Sequence, residues 1–484
     1  MNSSVRVRFA PAPTGFLHIG NARTALFNYI FAKQHHGTFI LRIEDTDVER
    51  SSEASLDQIL EDLRWLGIEW DEGPDKDGPD GPYRQSQRSS LYLHYSGKML
   101  REGKAYKCFC SNERLERLRK EQLQKGLMPR YDGRCRNLSQ ETISQREAEG
   151  QKPVLRFCVG KGPILFQDLV HGKMKFQSEG IGDFIILRSD GTAAYNFACV
   201  IDDHHMHVTH VIRGEDHLSN TPRQILLYQA LGWDPPLFAH HPLILGPDRS
   251  PLSKRHGATA VSQYREEGFL PEAIQNYLLL LGWSPPSGEE VLPLKKIIET
   301  FSFEDISKSA PIFHRKKLEW LNGIYLRHIE EERLSHLLLP YVEKAGISLD
   351  QMDRNYLTQL SKVLKENLTL ISEVEQYLGI FFDEKFSFEE EAKAILRDSK
   401  NHELIQRVHD FLVSTPAIES DTWPSFLKQL EKKLGIEGKN FYAPLRAAIT
   451  GKMRGPELAK TLPILGKERI IWRLKMALDL TFER

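Results

Sequence analysis

Val5-Arg6-Val7-Arg8-Phe9-Ala10-Pro11-Ala12-Pro13-Thr14-Gly15-Phe16-Leu17-His18-Ile19-Gly20-Asn21 decides the fold of the first part of this chain. Val5, Val7 and Phe9 alternate as one face of a short strand does, since successive side chains of an extended backbone point to opposite sides. Pro11, Pro13 and Gly15 then interrupt regular structure. From Ile19 the apolar residues Ala22, Leu26, Tyr29 and Ile30 recur at helical spacing, and Gly37 sits where a helix stop is predicted. Phe39, Ile40, Leu41 and Ile43 form a second, nearly continuous apolar strand ending in Glu44-Asp45-Thr46-Asp47, and a helix through Leu56, Ile59, Leu60 and Leu63 follows. Strand, helix, strand, helix predicts an α/β fold of Rossmann type: a parallel sheet whose ligand site lies at the carboxyl ends of its strands.

Further along, the pattern is interrupted and then resumes. Short β-like runs, Val154 to Val159 and Phe184 to Leu187, surround a charged helical stretch from Ser111 to Lys125, which reads as an insertion. The α/β pattern returns near Ala194 to Ile201 and Val208 to Ile212. A helix follows with Thr221 as its expected N-cap, Pro222 in its first turn and Gly232 past its end. From about residue 265 strand signals nearly vanish, and helical spacing prevails, as in Leu404, Val408, Phe411 and Leu412 or Ile470, Ile471, Leu474 and Leu478.

Composition bounds the function classes. The chain has 484 residues, 65 Lys+Arg against 66 Asp+Glu and 40% hydrophobic residues. That length predicts about two to four domains at roughly 100–200 residues each, and the apolar content with near-zero net charge excludes whole-chain disorder. Five cysteines in so long a chain disfavour a secreted disulfide scaffold. No run approaches the roughly 20 apolar residues that span a bilayer, so a soluble cytoplasmic protein without membrane contact is expected. The balanced charge also argues at first sight against a polyanion binder, but it hides strong segregation. Residues 44–80 hold 14 acidic and three basic side chains, whereas 113–136 hold eight basic against four acidic and 439–484 ten against four.

Two loops carry candidate chemistry. A helix N-terminus presents unpaired N–H groups and a partial positive charge, so the His18 turn suits a phosphate; His18 can donate to a phosphate oxygen, and Gly20 lets a ligand approach the backbone. The alternative is a tight turn that happens to carry a histidine. Asp248-Arg249-Ser250-Pro251-Leu252-Ser253-Lys254-Arg255-His256-Gly257 is a polar loop whose cations can stabilise charge on a transferring phosphate group, the alternative being a solvated surface loop.

Taken in order with Arg42-Ile43-Glu44-Asp45-Thr46-Asp47, Gly81-Pro82-Tyr83-Arg84-Gln85-Ser86 and Tyr131-Asp132-Gly133-Arg134, these loops closely resemble the class I aminoacyl-tRNA synthetases of the glutamyl branch. His18-Ile19-Gly20-Asn21 resembles that class's HIGH signature, with Asn21 in place of the last histidine. Pro251-Leu252-Ser253-Lys254-Arg255 resembles its KMSKS signature, with Pro251 in place of the first lysine. The resemblance continues through Trp320-Leu321-Asn322-Gly323 and Tyr442-Ala443-Pro444-Leu445-Arg446 to Gly466-Lys467-Glu468-Arg469.

The resemblance implies activation of L-glutamate by ATP with Mg2+ to glutamyl-adenylate, then transfer to the terminal ribose of tRNA(Glu), by a monomer. It implies an ATP site at Thr14, Gly15, His18, Gly20, Asn21 and Lys254, with His18, Ser253, Lys254 and Arg255 serving catalysis. Arg8 and Arg213 would read the glutamate carboxylate, Glu44 the ammonium, and Tyr195 would line the pocket. It divides the chain into a split catalytic domain (1–106 and 191–250), an inserted α+β acceptor-end domain (107–190), a helical stem-contact domain (251–324) and an all-α anticodon-binding region (325–484). The basic stretches fall in the parts expected to meet RNA.

Cys108, Cys110 and, after 24 intervening residues, Cys135 offer three soft ligands for one structural Zn2+, with Tyr131 as a phenolate candidate for the fourth. Some relatives carry a histidine two residues past the third cysteine, where this chain has Asn137. The alternative is a set of free thiols. Cys158 and Cys199 have no partner spacing. Two neighbouring functions share part of the pattern: a tRNA-modifying glutamyl-queuosine synthetase paralogue, which typically resembles only the catalytic part, and a small-metabolite nucleotidyltransferase, which leaves the helical third without a purpose. A non-catalytic RNA binder would not need both phosphate signatures.

Overall fold

A computed structural model describes residues 4–47, 49–348, 353–416, 418–419 and 422–480. Up to Gly246 the order is β1 (Arg6–Phe9), α1 (Ile19–Gln34), β2 (Thr38–Leu41), α2 (Glu53–Trp65), α3 (Ser89–Arg101), β3 (Ala105–Cys108), α4 (Asn112–Gln124), α5 (Gln140–Ala148), β4 (Val154–Phe157), β5 (Pro163–Asp168), β6 (Gly172–Gln177), β7 (Phe184–Leu187), α6 (Tyr195–His205), β8 (His210–Gly214), α7 (Thr221–Leu231) and β9 (Leu237–His241).

The parallel sheet follows the expected alternation. β1 pairs with β2 in parallel, Arg6 opposite Thr38 and Phe9 opposite Leu41. β8 pairs with β9 in parallel, and Thr209 N–H donates to the Arg6 carbonyl at 2.9 Å, which ties β1 to the start of β8. Val7, Phe39, Ile40, Leu41, Val211 and Ile212 are buried, as strands covered on both faces require. The carboxyl ends of all these strands point the same way, carrying Arg8, Glu44, Arg213 and His241 to one edge.

Two local expectations are corrected. Helix α1 stops before Gly37, and the left-handed residue is His36 with φ 50°; Gly37 is required because a Cβ there would overlap the Val5 carbonyl where β1 and β2 meet. Thr221 is not the N-cap of α7: Asn220 precedes the helix, and the Thr221 hydroxyl turns inward to Arg213 and His240.

Within the expected insertion, β3, β4 and β7 form an antiparallel three-stranded sheet. The hairpin β5–β6 behaves differently, since β5 joins β9 through Asp168 opposite Phe238 and so extends the parallel sheet. Helices α4 and α5 bury none of their residues.

The chain forms two compact units, one running to Tyr264 and including Ile274–His314, the other comprising Arg265–Ala273 and the residues from Arg315 onward. The second unit is helical, without a strand among its described residues. Its apolar positions are buried at the expected helical spacing, with Leu404, Val408 and Leu412 on Ser399–Ser414 and Ile470 and Leu474 on Lys467–Leu478. Arg473 lies in its interior, donating to the Ile380 and Ile449 carbonyls at 2.6 and 2.9 Å and to Asp383 at 2.8 Å.

Candidate active site

A cavity of about 460 Å³ opens at the carboxyl edge of the parallel strands, lined by Arg8, His18, Gly20, Asn21, Glu44, Tyr195, Arg213, His217 and His241 among others. Its position follows from the topology, because strand ends and the first turn of α1 converge there. His18 is the N-cap of α1, and its Nδ1 accepts from Gly20 N–H at 3.1 Å. That bond leaves the ring proton on Nε2, and burial lowers the imidazole pKa, so His18 is a neutral donor at the rim of a helix N-terminus. Thr14 and Gly15 are not among the lining residues.

The charges at the base are arranged in an alternating cluster. Asp203 on α6 accepts from Arg8 Nε at 3.0 Å and from Arg42 Nη1 at 2.6 Å, and Arg42 Nη2 reaches Glu44 at 3.2 Å. Burial alone would raise the Asp203 carboxyl, but Arg42 and Arg8 hold it at about 2. Burial dominates at Glu44 and raises its carboxyl despite Arg42 and Arg8, which leaves it ready for a further cation. Two guanidinium groups are thus matched by two carboxylates.

Arg213, 5% exposed, differs. Its Nε donates to His240 Nε2 at 3.2 Å and its Nη2 to Thr221 Oγ1 and Gln224 Oε1 at 2.8 and 2.9 Å, all neutral acceptors. Nη1 has no hydrogen-bond partner among the described residues. A buried guanidinium in a cavity wall, met only by neutral acceptors, calls for an incoming anion, and a carboxylate suits its planar fork. Tyr195 OH lies 3.0 Å from His217 Nδ1. Burial, reinforced by Arg213, brings the His217 pKa to about 4, so the ring is neutral and its Nδ1 accepts from Tyr195.

Of the second loop, Pro251 and Leu252 line the cavity, but Ser253, Lys254 and Arg255 do not. The loop closes on itself: Asp248 accepts from Ser250 N–H at 2.9 Å and from Arg255 Nη2 at 2.9 Å, and Ser253 N–H donates to His256 Nδ1 at 3.1 Å. Arg255 is therefore engaged with Asp248, an exposed pair of small energetic weight. Lys254 is exposed and has no ion pair among the described residues.

The cysteines assemble as the spacing suggested. Sulfur atoms of Cys108, Cys110 and Cys135 lie within 4.8 Å of one another. Tyr131 Oη is 3.4 Å from the sulfurs of both Cys108 and Cys110, and Cys110 and Cys135 sulfurs are 3.6 Å apart. Tetrahedral zinc with Zn–S near 2.3 Å sets sulfurs about 3.8 Å apart, so this donor set fits the ion. Although burial raises the Cys108 thiol, hydrogen bonds from Tyr131, the Cys110 backbone and Arg156 bring it below its ordinary value, which favours the ligating thiolate.

Sequence patterns alone assigned no role to Arg42, Asp203, His217, Asp168 or His240. The adjacent pair Asp202-Asp203 directly after the apolar run at 197–201 was the legible signal for the first cluster, because such carboxylates are buried only when paired.

A parallel sheet with a His-Ile-Gly-Asn helix start and a Ser-Lys-Arg loop beside one cavity is the arrangement of a class I tRNA synthetase. The family profile described as tRNA synthetases class I (E and Q), catalytic domain, matches residues 4–320, and that of an anticodon binding domain matches 333–478. The chain belongs to the class I tRNA synthetases of the E and Q type. Its curated relatives include a glutamate–tRNA ligase of Carboxydothermus hydrogenoformans, 52% identical over 96% of this chain and 97% of the other, and one of Desulforamulus reducens, 47% identical over 98% and 100%. A crystal structure of a glutamate tRNA ligase from Elizabethkingia meningosepticum in complex with its amino acid superposes with a TM-score of 0.88 at 33% identity, covering 99% of this chain and 100% of that one.

Proposed function

We propose that this chain is a glutamate–tRNA ligase. The glutamate α-carboxylate attacks the α-phosphorus of Mg-ATP, forming glutamyl-adenylate and releasing pyrophosphate; the terminal ribose hydroxyl of tRNA(Glu) then attacks the activated carbonyl and releases AMP. The observation that carries the reading is buried Arg213, paired with no carboxylate among its hydrogen-bond partners, in the wall of the cavity that His18 also lines. Arg213 and Arg8 receive the side-chain carboxylate, Glu44 the ammonium, and Tyr195, steadied by His217, closes the pocket wall. His18 and the α1 N-terminus hold phosphate oxygens, and Lys254, with Ser253 and Arg255 on its loop, stabilises charge passing to pyrophosphate once the loop swings to the cavity. Glutamyl transfer to full-length tRNA, rather than to a free base or metabolite, accords with the helical second unit.

The same reading places the acceptor end on 107–190, the stem on 251–324 and the anticodon on 325–484, in a cytoplasmic monomer. No helix among the described residues is long and apolar enough to cross a membrane. Cys108, Cys110, Cys135 and Tyr131 hold a structural Zn2+ that braces the loop they share.

The decisive experiment is ATP–pyrophosphate exchange with glutamate, with and without tRNA, followed by charging. Lys254→Ala should depress adenylate formation far more than glutamate binding. Equal losses in both would refute the role given to Lys254, and exchange independent of glutamate would refute the function.

A further inference from the structure

The contacts of Arg213 extend beyond the cavity to a buried carboxylate on a different part of the chain. His240, fully buried on β9, lies 2.6 Å through Nδ1 from Asp168 Oδ2. Asp168, equally buried at the end of β5, accepts through Oδ1 from the Val170 and His171 N–H groups, both at 2.9 Å. These bonds fix every proton in the chain. Arg213 Nε can only donate, so His240 Nε2 must accept and Nδ1 must carry the proton that Asp168 receives. The Thr221 hydroxyl accepts from Arg213 Nη2 and lies 3.0 Å from His240 Nε2, whose one lone pair it can only share with Arg213 Nε.

We propose that Asp168 and His240 are positioning residues for Arg213, which hold its guanidinium plane in the cavity wall where the substrate's side-chain carboxylate is received, and thereby set preference for glutamate over glutamine. The inference rests on the reading of Arg213 as the carboxylate receptor. A carboxylate in direct contact would occupy the fork and compete with substrate. Relayed through a neutral imidazole, the Asp168 charge offsets the buried cation from one side only and leaves the fork without a carboxylate. Asp168 reaches this place because the β5–β6 hairpin joins β9, where Asp168 pairs with Phe238.

Asp168→Asn tests the relay with little change of shape. The two backbone donors retain the amide oxygen, so the NH2 group turns to His240 Nδ1, the ring proton moves to Nε2, and two donors then oppose each other at Arg213 Nε. His240→Asn breaks the relay at its other bond, since its amide can still meet Asp168 but presents nothing to Arg213. In pyrophosphate exchange with tRNA present, both variants should raise KM for glutamate by about ten- to a hundredfold, the effect of one lost charge-assisted hydrogen bond. The kcat and the KM for ATP should stay within about twofold of the parent, and the glutamate-to-glutamine ratio of kcat/KM should fall with the KM change. A merely structural role would lower kcat and affect both substrates together, and that outcome overturns the proposal, as does an unchanged glutamate KM in either folded variant. If Asp168→Asn fails to fold, His240→Asn decides. If the parent shows no glutamate-dependent exchange, the reading of the pocket fails and this inference falls with it; a normal parent with unaltered variants removes the inference alone.

Discussion

Asp203 illustrates what one side chain does in this protein. It is buried between Arg8 and Arg42, and removing its charge leaves two guanidinium groups with only Glu44 beside them. Asp203→Asn should therefore destabilise the fold by about 3–5 kcal/mol, measured by urea unfolding. Because its folded pKa of about 2 is below the ordinary value of 3.8, the stabilisation is present above pH 3.8 and disappears as pH falls through about 2. A parent whose stability is flat across that window would contradict the pairing. Glu44 shifts the opposite way. If Glu44 holds the substrate ammonium, as proposed, its raised carboxyl must be ionised to do so, and kcat/KM for glutamate should decline on acidification above the pH expected of an ordinary glutamate. Glu44→Gln should lower kcat/KM and abolish that acidic limb; an unaltered limb would reassign it to another group. Residue identities such as Arg8 and Glu44 were legible because they sit in quoted motifs at strand ends. Asp203, His217 and His240 were not, because their meaning comes from partners distant in sequence.

At the scale of elements, periodicity worked where an element has one buried face. Helix α2 buries Leu56, Ile59, Leu60 and Leu63 as their spacing predicts. It failed at the β5–β6 hairpin, where Ile164, Leu165 and Phe166 run together in sequence although Leu165 is exposed, and where β6 alternates over only two apolar residues, Met174 and Phe176, so neither strand was read from sequence. Helix α4 shows the complementary case: it was legible as a helical stretch, yet neither it nor α5 has a buried residue, and so neither has a core of its own. On the proposed reading, zinc held by the cysteine cluster beside them supplies the missing restraint. Purified without chelator, the protein should contain one zinc per chain, and chelation should accelerate amide exchange in residues 108–136 while sparing β1 and β8. Substoichiometric zinc would reject the site, and equal protection with and without chelator would reject its structural role.

Over the whole molecule, neutrality of the total charge conceals segments of opposite sign. If the basic stretches at 113–136 and 439–484 meet RNA phosphates, affinity for tRNA should fall steeply with salt, by about a thousandfold between 50 and 200 mM if roughly six phosphates are neutralised, as measured by fluorescence anisotropy. A salt-independent affinity would sink the electrostatic account. Arg473 qualifies the charge count, since it is spent inside the second unit on the Ile380 and Ile449 carbonyls and Asp383 and is not available to RNA. The sequence by itself determined the α/β start, the helical end, the two signature loops and the three clustered cysteines, because each is written in local spacing or a short motif whose physics acts over a few residues. Only the tertiary structure decided that Arg213 meets only neutral acceptors while Arg8 and Arg42 share Asp203. It also decided that Thr221 faces inward and that an inserted hairpin brings Asp168 to the sheet. Burial and hydrogen-bond satisfaction depend on which distant segments pack together, and a linear pattern does not carry that information.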